Sequence, residues 1–465
     1  SKINVIALSG EELPDIIFDP GDSLQTLMDE ELLLDLSEYY DNPDYAVNIN
    51  DASERIGMDI KTYQTQANGA VYGIPSFSQN PGADVYQKLW VYQPWLDALG
   101  VELPETTDEF YEVCKLISQT DLNGNGKNDE LGLTGTDIGG WFDCLMTPFV
   151  FAHDSQFRTM TDGQVGFAYT TEEWKEGLKY IKKFFDEGLI PKETLTQDKD
   201  QYNSFVFSEE PVLFAFCGWC YEGSDIVRRS ELSGIPALEG PNGVKNACYI
   251  PSIPSGTGAV ITVDCENPEA AFLVCDYLCS EDMSNINRYG KLGVNWDYWE
   301  NAKETIENPE EYGSAYGYEM FMITYYQDGV DFWYDPNPQN VCYFQNGPYV
   351  RDSLANLGYV MKTANLSEEE TLRLFNETKD IAVQNDCYNY LPDEVFDYGP
   401  LTTEETSQTA DIKTNLNNYV KEATSAFLTG SMDIDADWDA YLKELENIGY
   451  KTMLETYQTA YDRVH

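Results

Sequence analysis

The ten residues DLNGNGKNDE, Asp121–Glu130, constrain this chain more than any other stretch. Oxygen-bearing side chains stand at Asp121, Asn123 and Asn125, each two residues from the last, with Gly124 and Gly126 spaced among them. A hard cation such as Ca²⁺ takes about six to eight oxygens at roughly 2.3–2.6 Å, and alternate residues of a tight loop can supply them. Glycine lets the backbone curl round an ion because it accepts φ > 0 without steric cost. The carbonyl of Lys127 would be the next ligand. An EF-hand closes with Glu at its twelfth position, which here is Gly132, so Asp129 and Glu130 have to close the loop instead. The competing reading is a solvated polar turn. A phosphate loop fails, because Asp121 and Asn128 stand where Gly and Ser or Thr are required.

A helix precedes the loop and a strand follows it. Thr106 and Glu109 have capping-box spacing, and Phe110, Val113, Cys114 and Ile117 keep one apolar face over 107–119. Leu131–Thr134 reads as a short strand. WLDALGVELPETTDEFYE (from Trp95) followed by DLNGNGKNDELGL resembles the family 1 extracellular solute-binding proteins of ABC-type sugar importers, in particular the large lipoproteins of Gram-positive bacteria. SGEELPDI from Ser9, VYGIP from Val71, and the tail from AFLTG at Ala426 through WDAYL at Trp438 to AYDR at Ala460 carry the same likeness from end to end.

The resemblance implies an α/β, two-lobed, periplasmic-binding-protein-like fold of type II, with interleaved lobes joined by hinge strands. It puts the first lobe at about 1–91 plus 264–345, and the second, carrying the calcium loop, at about 92–263 plus 346–465. It also implies a first strand and helix ahead of Ser9 that this sequence does not show. By the same likeness Asp121, Asn123, Asn125, Lys127 (through its carbonyl), Asp129 and Glu130 hold a structural Ca²⁺ that fixes the end of the 107–119 helix, outside the ligand cleft. The expected partners are an oligosaccharide and the membrane permease of an ABC importer. The expected protein is an extracellular monomer, tethered by an amino-terminal lipid that is absent from this chain.

Composition agrees with a neutral ligand. The 465 residues carry 28 basic against 81 acidic side chains, a net charge of −53, which repels nucleic acid and anionic membranes. A sugar offers apolar C–H faces for Trp or Tyr to stack on and a hydroxyl rim for polar groups. Trp219, which ends an apolar strand at a small-residue turn, is the first stacking candidate, and the resembled family often places a ligand-stacking aromatic there. Trp141, after Gly139-Gly140, and Trp296, after Gly293-Val-Asn295, are the next. Asp22 and Ser23, beyond a strand end, and Phe77 and Gln79, beyond another, are rim candidates. The competing readings are core packing for each Trp and loop solvation for the rim.

Other chemistries find little material. The only histidines are His153 and His465, which leaves His-based metal or triad chemistry almost no material. Cys217/Cys220 and Cys275/Cys279 could make a four-thiolate zinc site on paper, but the second pair lies in a run, Ala270–Leu278, that reads as a buried helix face. Ten cysteines in a chain this long do not make a disulfide lattice. A secreted glycoside hydrolase needs two carboxylates roughly 5–9.5 Å apart, a condition that 81 acidic residues meet everywhere in sequence. A glycan-adhesion module would show repeats, and none is found. No run of about 18 apolar residues could span a bilayer.

Overall fold

Short apolar runs bounded by Gly, Pro or Asp supply the strands of two sheets. In the computed structural model, which describes residues 2–79, 84–151, 156–218, 226–309, 320–321, 347–351 and 365–465, these strands are β1 (Ile16–Phe18), β2 (Gly73–Ser76), β3 (Lys88–Tyr92), β4 (Leu131–Leu133), β5 (Leu213–Gly218), β6 (Leu232–Ile235) and β7 (Gly256–Ile261). The first sheet has the order β1-β7-β2, antiparallel throughout, with Ile17 opposite Val260 and Ile74 opposite Ala259. The second has the order β4-β5-β3-β6, in which β4 and β5 are parallel and β3 runs antiparallel to both its neighbours. The chain therefore leaves the first sheet after β2, builds the second, and comes back with β7. These crossings fall between Gln79 and Lys88 and between Ile235 and Gly256, each a little ahead of the boundaries read from sequence at 91/92 and 263/264.

Each sheet has its own core. On the first, the period-2 alternation of β7 turns Ala259 and Ile261 towards Leu36, Ile49, Ile74 and Phe272, and Val260 towards Ala7, Ile17 and Leu27. On the second, Leu89 and Val91 face a large core that extends through Phe110, Trp174, Phe184 and Phe214 to Phe427, Trp438, Tyr441 and Tyr457. Trp90 points the other way, into a cluster with Val206, Phe216 and Leu232, and its indole N–H donates to Gly218 O (3.0 Å). The carboxy-terminal helices thus pack on the second sheet.

The helices that matter to the sites are α1 (Lys2–Ser9), α2 (Leu24–Asp29), α3 (Val47–Ile56), α4 (Ile60–Gln64), α5 (Thr107–Ser118), α6 (Gly140–Met146), α7 (Glu172–Asp186), α8 (Pro268–Leu278), α9 (Glu368–Cys387) and α10 (Thr403–Thr429). The capping box read at Thr106/Glu109 is present, with both reciprocal bonds made. Three further readings of the sequence need correction: a strand over Ile3–Leu8, a helix over Leu24–Leu36 and a capping box at Thr170/Glu173. Ile3–Leu8, read as a strand, lies in α1, where Ile3, Ile6 and Ala7 at helical spacing meet Leu13 and Leu27. The helix expected over Leu24–Leu36 stops at Asp29, because Glu31 takes φ +56° and Leu33 pairs with Thr262 at the sheet edge. The box expected at Thr170/Glu173 does not form, and a one-sided cap stands one residue later. Thr170 Oγ1 donates to Phe167 O, and Thr171 instead receives the Trp174 N–H and caps α7.

At the start of α10, Glu405 accepts from Thr402 N (2.7 Å) and from the Arg463 guanidinium (2.6 Å). Burial pushes its carboxyl up, but these donors outweigh that and hold it below its ordinary 4.5. A depressed folded pKa adds stability above the unfolded value and loses it as pH falls through the folded one. Glu405→Gln should therefore be less stable than the parent at neutral pH. The gap should close below pH 4.5; urea midpoints across that range are the check, and a gap that persists unchanged would refute the assignment.

Candidate functional site: an oxygen-rich loop and a cleft corner

The loop after α5 is closed by its own side chains. Asp121 Oδ1 and Oδ2 accept from Gly124 N and Gly126 N, both at 2.8 Å, while Asn123 Oδ1 and Asn125 Oδ1 accept from the amides two residues on. Gly124 and Gly126 take φ +76° and +83°, as such a curl requires. Asn125 donates to Asp129, and Asn128 Nδ2 donates to Gln119 O, which fastens the loop to the end of α5. Glu130 is only 2% exposed. Its Oε1 accepts from Leu122 N (2.7 Å) and Asn123 N (3.0 Å), whereas Oε2 is buried with no hydrogen-bond partner. A buried carboxylate oxygen left unpaired is costly, and a cation is the partner this donor set would suit. Among the described residues no three His, Cys, Asp or Glu side chains already converge on a metal position. Lys127 contributes its N–H to Asn125 in this arrangement.

The predicted ligand residues differ in exposure. Trp141 is 2% exposed, packs against Phe142 and Phe185, and donates from its indole to Asp137 O (2.7 Å). Gly135 exists for it: a Cβ there would come within 2.2 Å of Trp141 Cδ1. Trp296 is 3% exposed, with its indole N–H on Gly290 O (2.8 Å). Both are core residues in this structure. Ser23 and Phe77 are buried as well, and Asp22 is exposed on the turn after β1. Gln79 lies in a two-residue strand paired with Arg351, and its side chain is outside the described residues, as is Trp219 altogether.

What the fold does assemble is a corner at the Gly218 end of β5. Lys88 pairs with Gly218, and the preceding Gln87 lies so close to the amino terminus of α6 that a Cβ at Gly140 would come within 2.1 Å of it. Gln87 Oε1 is buried without a partner, and Asp143 lies on the first turn of α6. The calcium-type loop is at the other end of β5, where Leu131 pairs with Leu213. Five residue steps along the strand separate Leu213 from Gly218, about 17 Å.

Beside this corner the Cys144 and Cys217 thiols hydrogen-bond each other. That bond, followed by burial, pushes Cys144 well up, and burial raises Cys217. Such thiols are inert as nucleophiles. No disulfide joins the eight described cysteines, and Cys275 and Cys279 lie in the first-sheet core whereas Cys217 packs against the second-sheet core. Their helix α8 is buried on one face only, since Leu273, Val274 and Tyr277 are exposed, so Ala270–Leu278 is not the uniformly buried run it reads as in sequence.

Sequence reasoning missed the residues that join the crossings. The Asp84 carboxyl accepts from Ser252 and from Tyr388 (2.9 Å), and burial pushes it above its ordinary value despite those hydroxyls. The carboxyl's partners are 168 and 304 residues away, so no local pattern marks it.

Comparison with known proteins places this architecture. The fructooligosaccharide ABC transporter substrate-binding protein FusA of Streptococcus pneumoniae is 23% identical over 98% of this chain and 81% of its own length. A human-milk-oligosaccharide (HMO)-binding, ABC-transporter-associated solute-binding protein from Bifidobacterium longum infantis superposes with a TM-score of 0.72 at 20% identity, over 99% of this chain and 90% of that one. An EF-hand mutant of the pneumococcal FusA, solved with fructo-nystose, gives 0.66 at 22% identity, over 99% and 90%. The profile for bacterial extracellular solute-binding proteins matches residues 2–283, more than half of the chain, and this protein belongs to that family.

Proposed function

We propose that the protein captures a neutral oligosaccharide outside the cell, between two lobes built on the two sheets, and delivers it to the permease of an ABC importer. The supporting observation is the interleaved architecture: two sheets with separate cores, joined by crossing segments that can act as a hinge. A relative similar over nearly the whole chain is a fructooligosaccharide-binding protein. The net charge of −53 argues against a polyanionic ligand. The corner at Gln87, Gly140 and Asp143, from which the chain runs on to Trp219, is the second-lobe wall of the cleft. The protein works by binding and closure, without bond-breaking, as a monomer tethered to the membrane by a lipid. No described helix is long and apolar enough to cross a bilayer.

A thermal-shift screen with neutral oligosaccharides, fructans and milk-type glycans among them, tests this reading. A ligand at about 100 times its Kd stabilises by roughly 2.7 kcal/mol. At least one neutral glycan should raise the melting temperature, while polyuronates should not. A panel that leaves it unmoved would remove the sugar reading, and release of reducing ends would replace it with hydrolysis.

The Asp121–Glu130 loop holds a structural Ca²⁺, with oxygens from Asp121, Asn123, Asn125, the Lys127 carbonyl, Asp129 and Glu130. The support is the partnerless Oε2 of buried Glu130 and the EF-hand named for a relative of the same fold. The ion supplies charge neutralisation and cross-links the loop to α5. Calcium at about 100 times its Kd should again stabilise by roughly 2.7 kcal/mol, and chelation should remove this while sugar binding survives. Glu130→Gln should abolish the calcium response. If its melting temperature still rises with calcium, the site lies elsewhere.

A further inference from the structure

The second crossing segment is gripped from both sides, and the two grips are only a few residues apart. On its second-lobe side, Ile250 N donates to Asp84 O (2.8 Å), and Ser252 Oγ donates to the Asp84 carboxylate. The same carboxylate accepts from Tyr388 Oη, just beyond α9, which packs on β6 of the second sheet. Beneath it, Val85, Ala247 and Cys387 form a small core with Val383 and Tyr390, and Ala247 N donates to Tyr390 O (2.8 Å). Asp84 therefore binds these two crossing segments to each other and to the second lobe; the boundary read from sequence at 345/346 lies outside the described residues.

On the first-lobe side, Gln64 at the end of α4 is buried, and its Nε2 donates to Pro254 O (2.6 Å) and to Gly256 O (3.0 Å). Gly256 already belongs to β7 in the first sheet. Between Ser252, held by one lobe, and Pro254, held by the other, only Ile253 is left ungripped, and its carbonyl accepts from Ser255 N in a tight turn (2.9 Å).

We infer that Asp84 and Gln64 are paired positioning residues that confine the bend of this crossing to Ser252–Pro254, so that the lobes turn about a fixed axis instead of splaying. This rests on the closure reading proposed above. A carboxylate fits such a junction because its two oxygens can accept from two hydroxyls at once, joining three chain segments through one side chain. Removing it would leave Ser252 and Tyr388 without their shared acceptor and would free the segment from Ile250 to Ser252. Asparagine keeps one carbonyl acceptor and the side-chain shape, so it should preserve most of the grip.

The test needs no sugar, so its outcome is separate from that of the glycan screen. Hydrogen exchange would be followed by mass spectrometry on the ligand-free protein. In parallel, an inter-lobe distance distribution would be taken between spin labels at exposed Val47 and Leu116, introduced through a ketone amino acid because the native thiols preclude cysteine labelling. Asp84→Ala should speed exchange over 249–256 at least tenfold and widen the distance distribution. The strand peptides 88–92 and 213–218 should keep parental rates, and Asp84→Asn should stay near the parent in both readouts. Gln64→Met should free 254–256 in the same local way. Faster exchange in all peptides together would mean a general structural role and overturn the inference, as would unchanged exchange at 249–256. Should Asp84→Ala fail to fold, Tyr388→Phe and Ser252→Ala each delete one hydroxyl from the same carboxylate. Local acceleration in either sustains the grip, and parental exchange in both refutes it.

Discussion

Trp141→Ala should lose about 3–5 kcal/mol of folding stability, the range found for deleting a large buried aromatic, while leaving the affinity for any glycan found by the screen unchanged. The indole is 2% exposed, lies against Phe142 and Phe185, and has Gly135 cut away to admit it. Its removal opens a cavity beneath α6 that the neighbouring rings cannot all collapse into. It also removes the indole N–H that the Asp137 carbonyl now accepts at 2.7 Å, a donor that water can replace because Asp137 is exposed. Denaturant unfolding gives the first quantity and calorimetric titration the second. Stability within about 1 kcal/mol of the parent, combined with weakened binding, would return Trp141 to the ligand site. Because α6 also carries Asp143 to the cleft corner, partial unfolding of α6 could lower affinity indirectly. The titration therefore has to be run where the variant is fully folded.

Trp141 also shows what a sequence can and cannot disclose. A Trp after two glycines looks the same whether the glycines make room for a ligand or for the ring itself. Here Gly135 makes room for the ring, and Gly140 makes room for Gln87. The glycine that admits the ring lies outside the Gly139-Gly140 pair, and the partner of Gly140 is dozens of residues away. The capping box at Thr106/Glu109 was legible because donor and acceptor lie three residues apart. Thr170 and Thr171 were not separable by that logic, since either could cap α7, and the choice was made by where Thr170 finds its own acceptor, at Phe167 O. Ile3–Leu8 failed for a different reason. Five apolar residues in a run of six, broken only at Asn4, carry no phase, and a helix and a buried strand fit them equally. The oxygen-rich loop was the most legible element because its ring of turns is contiguous in the chain. Even so, the sequence did not show that Glu130 is turned inward and buried, with one oxygen spent on Leu122 and Asn123 and the other without a partner. The Asp84 junction lay beyond reach, because its three segments meet only after both sheets have formed.

Trp219→Ala should weaken oligosaccharide binding by roughly thirty- to more than a hundredfold, and the reason begins one residue earlier. Strand β5 is buried through most of its length and ends at Gly218, whose φ of +141° only glycine adopts readily. Lys88 and Gln87 flank that point on the neighbouring strand, with Gly140 of α6 beside Gln87. This is the corner proposed as the second-lobe wall of the cleft, and the next residue in sequence is Trp219. An indole offered as a platform removes an apolar sugar face from water, and burying a large aromatic face contributes on the order of 2–3 kcal/mol. At about 1.4 kcal/mol per tenfold change in Kd, that converts to the stated loss. The corner's polar groups would survive the change, so selectivity among glycans should fall less than affinity. Lost affinity with an unchanged ligand-free melting temperature supports the platform. The opposite pairing, lost stability with intact affinity, would make Trp219 a second Trp141, and the stacking surface would have to be sought on the first lobe.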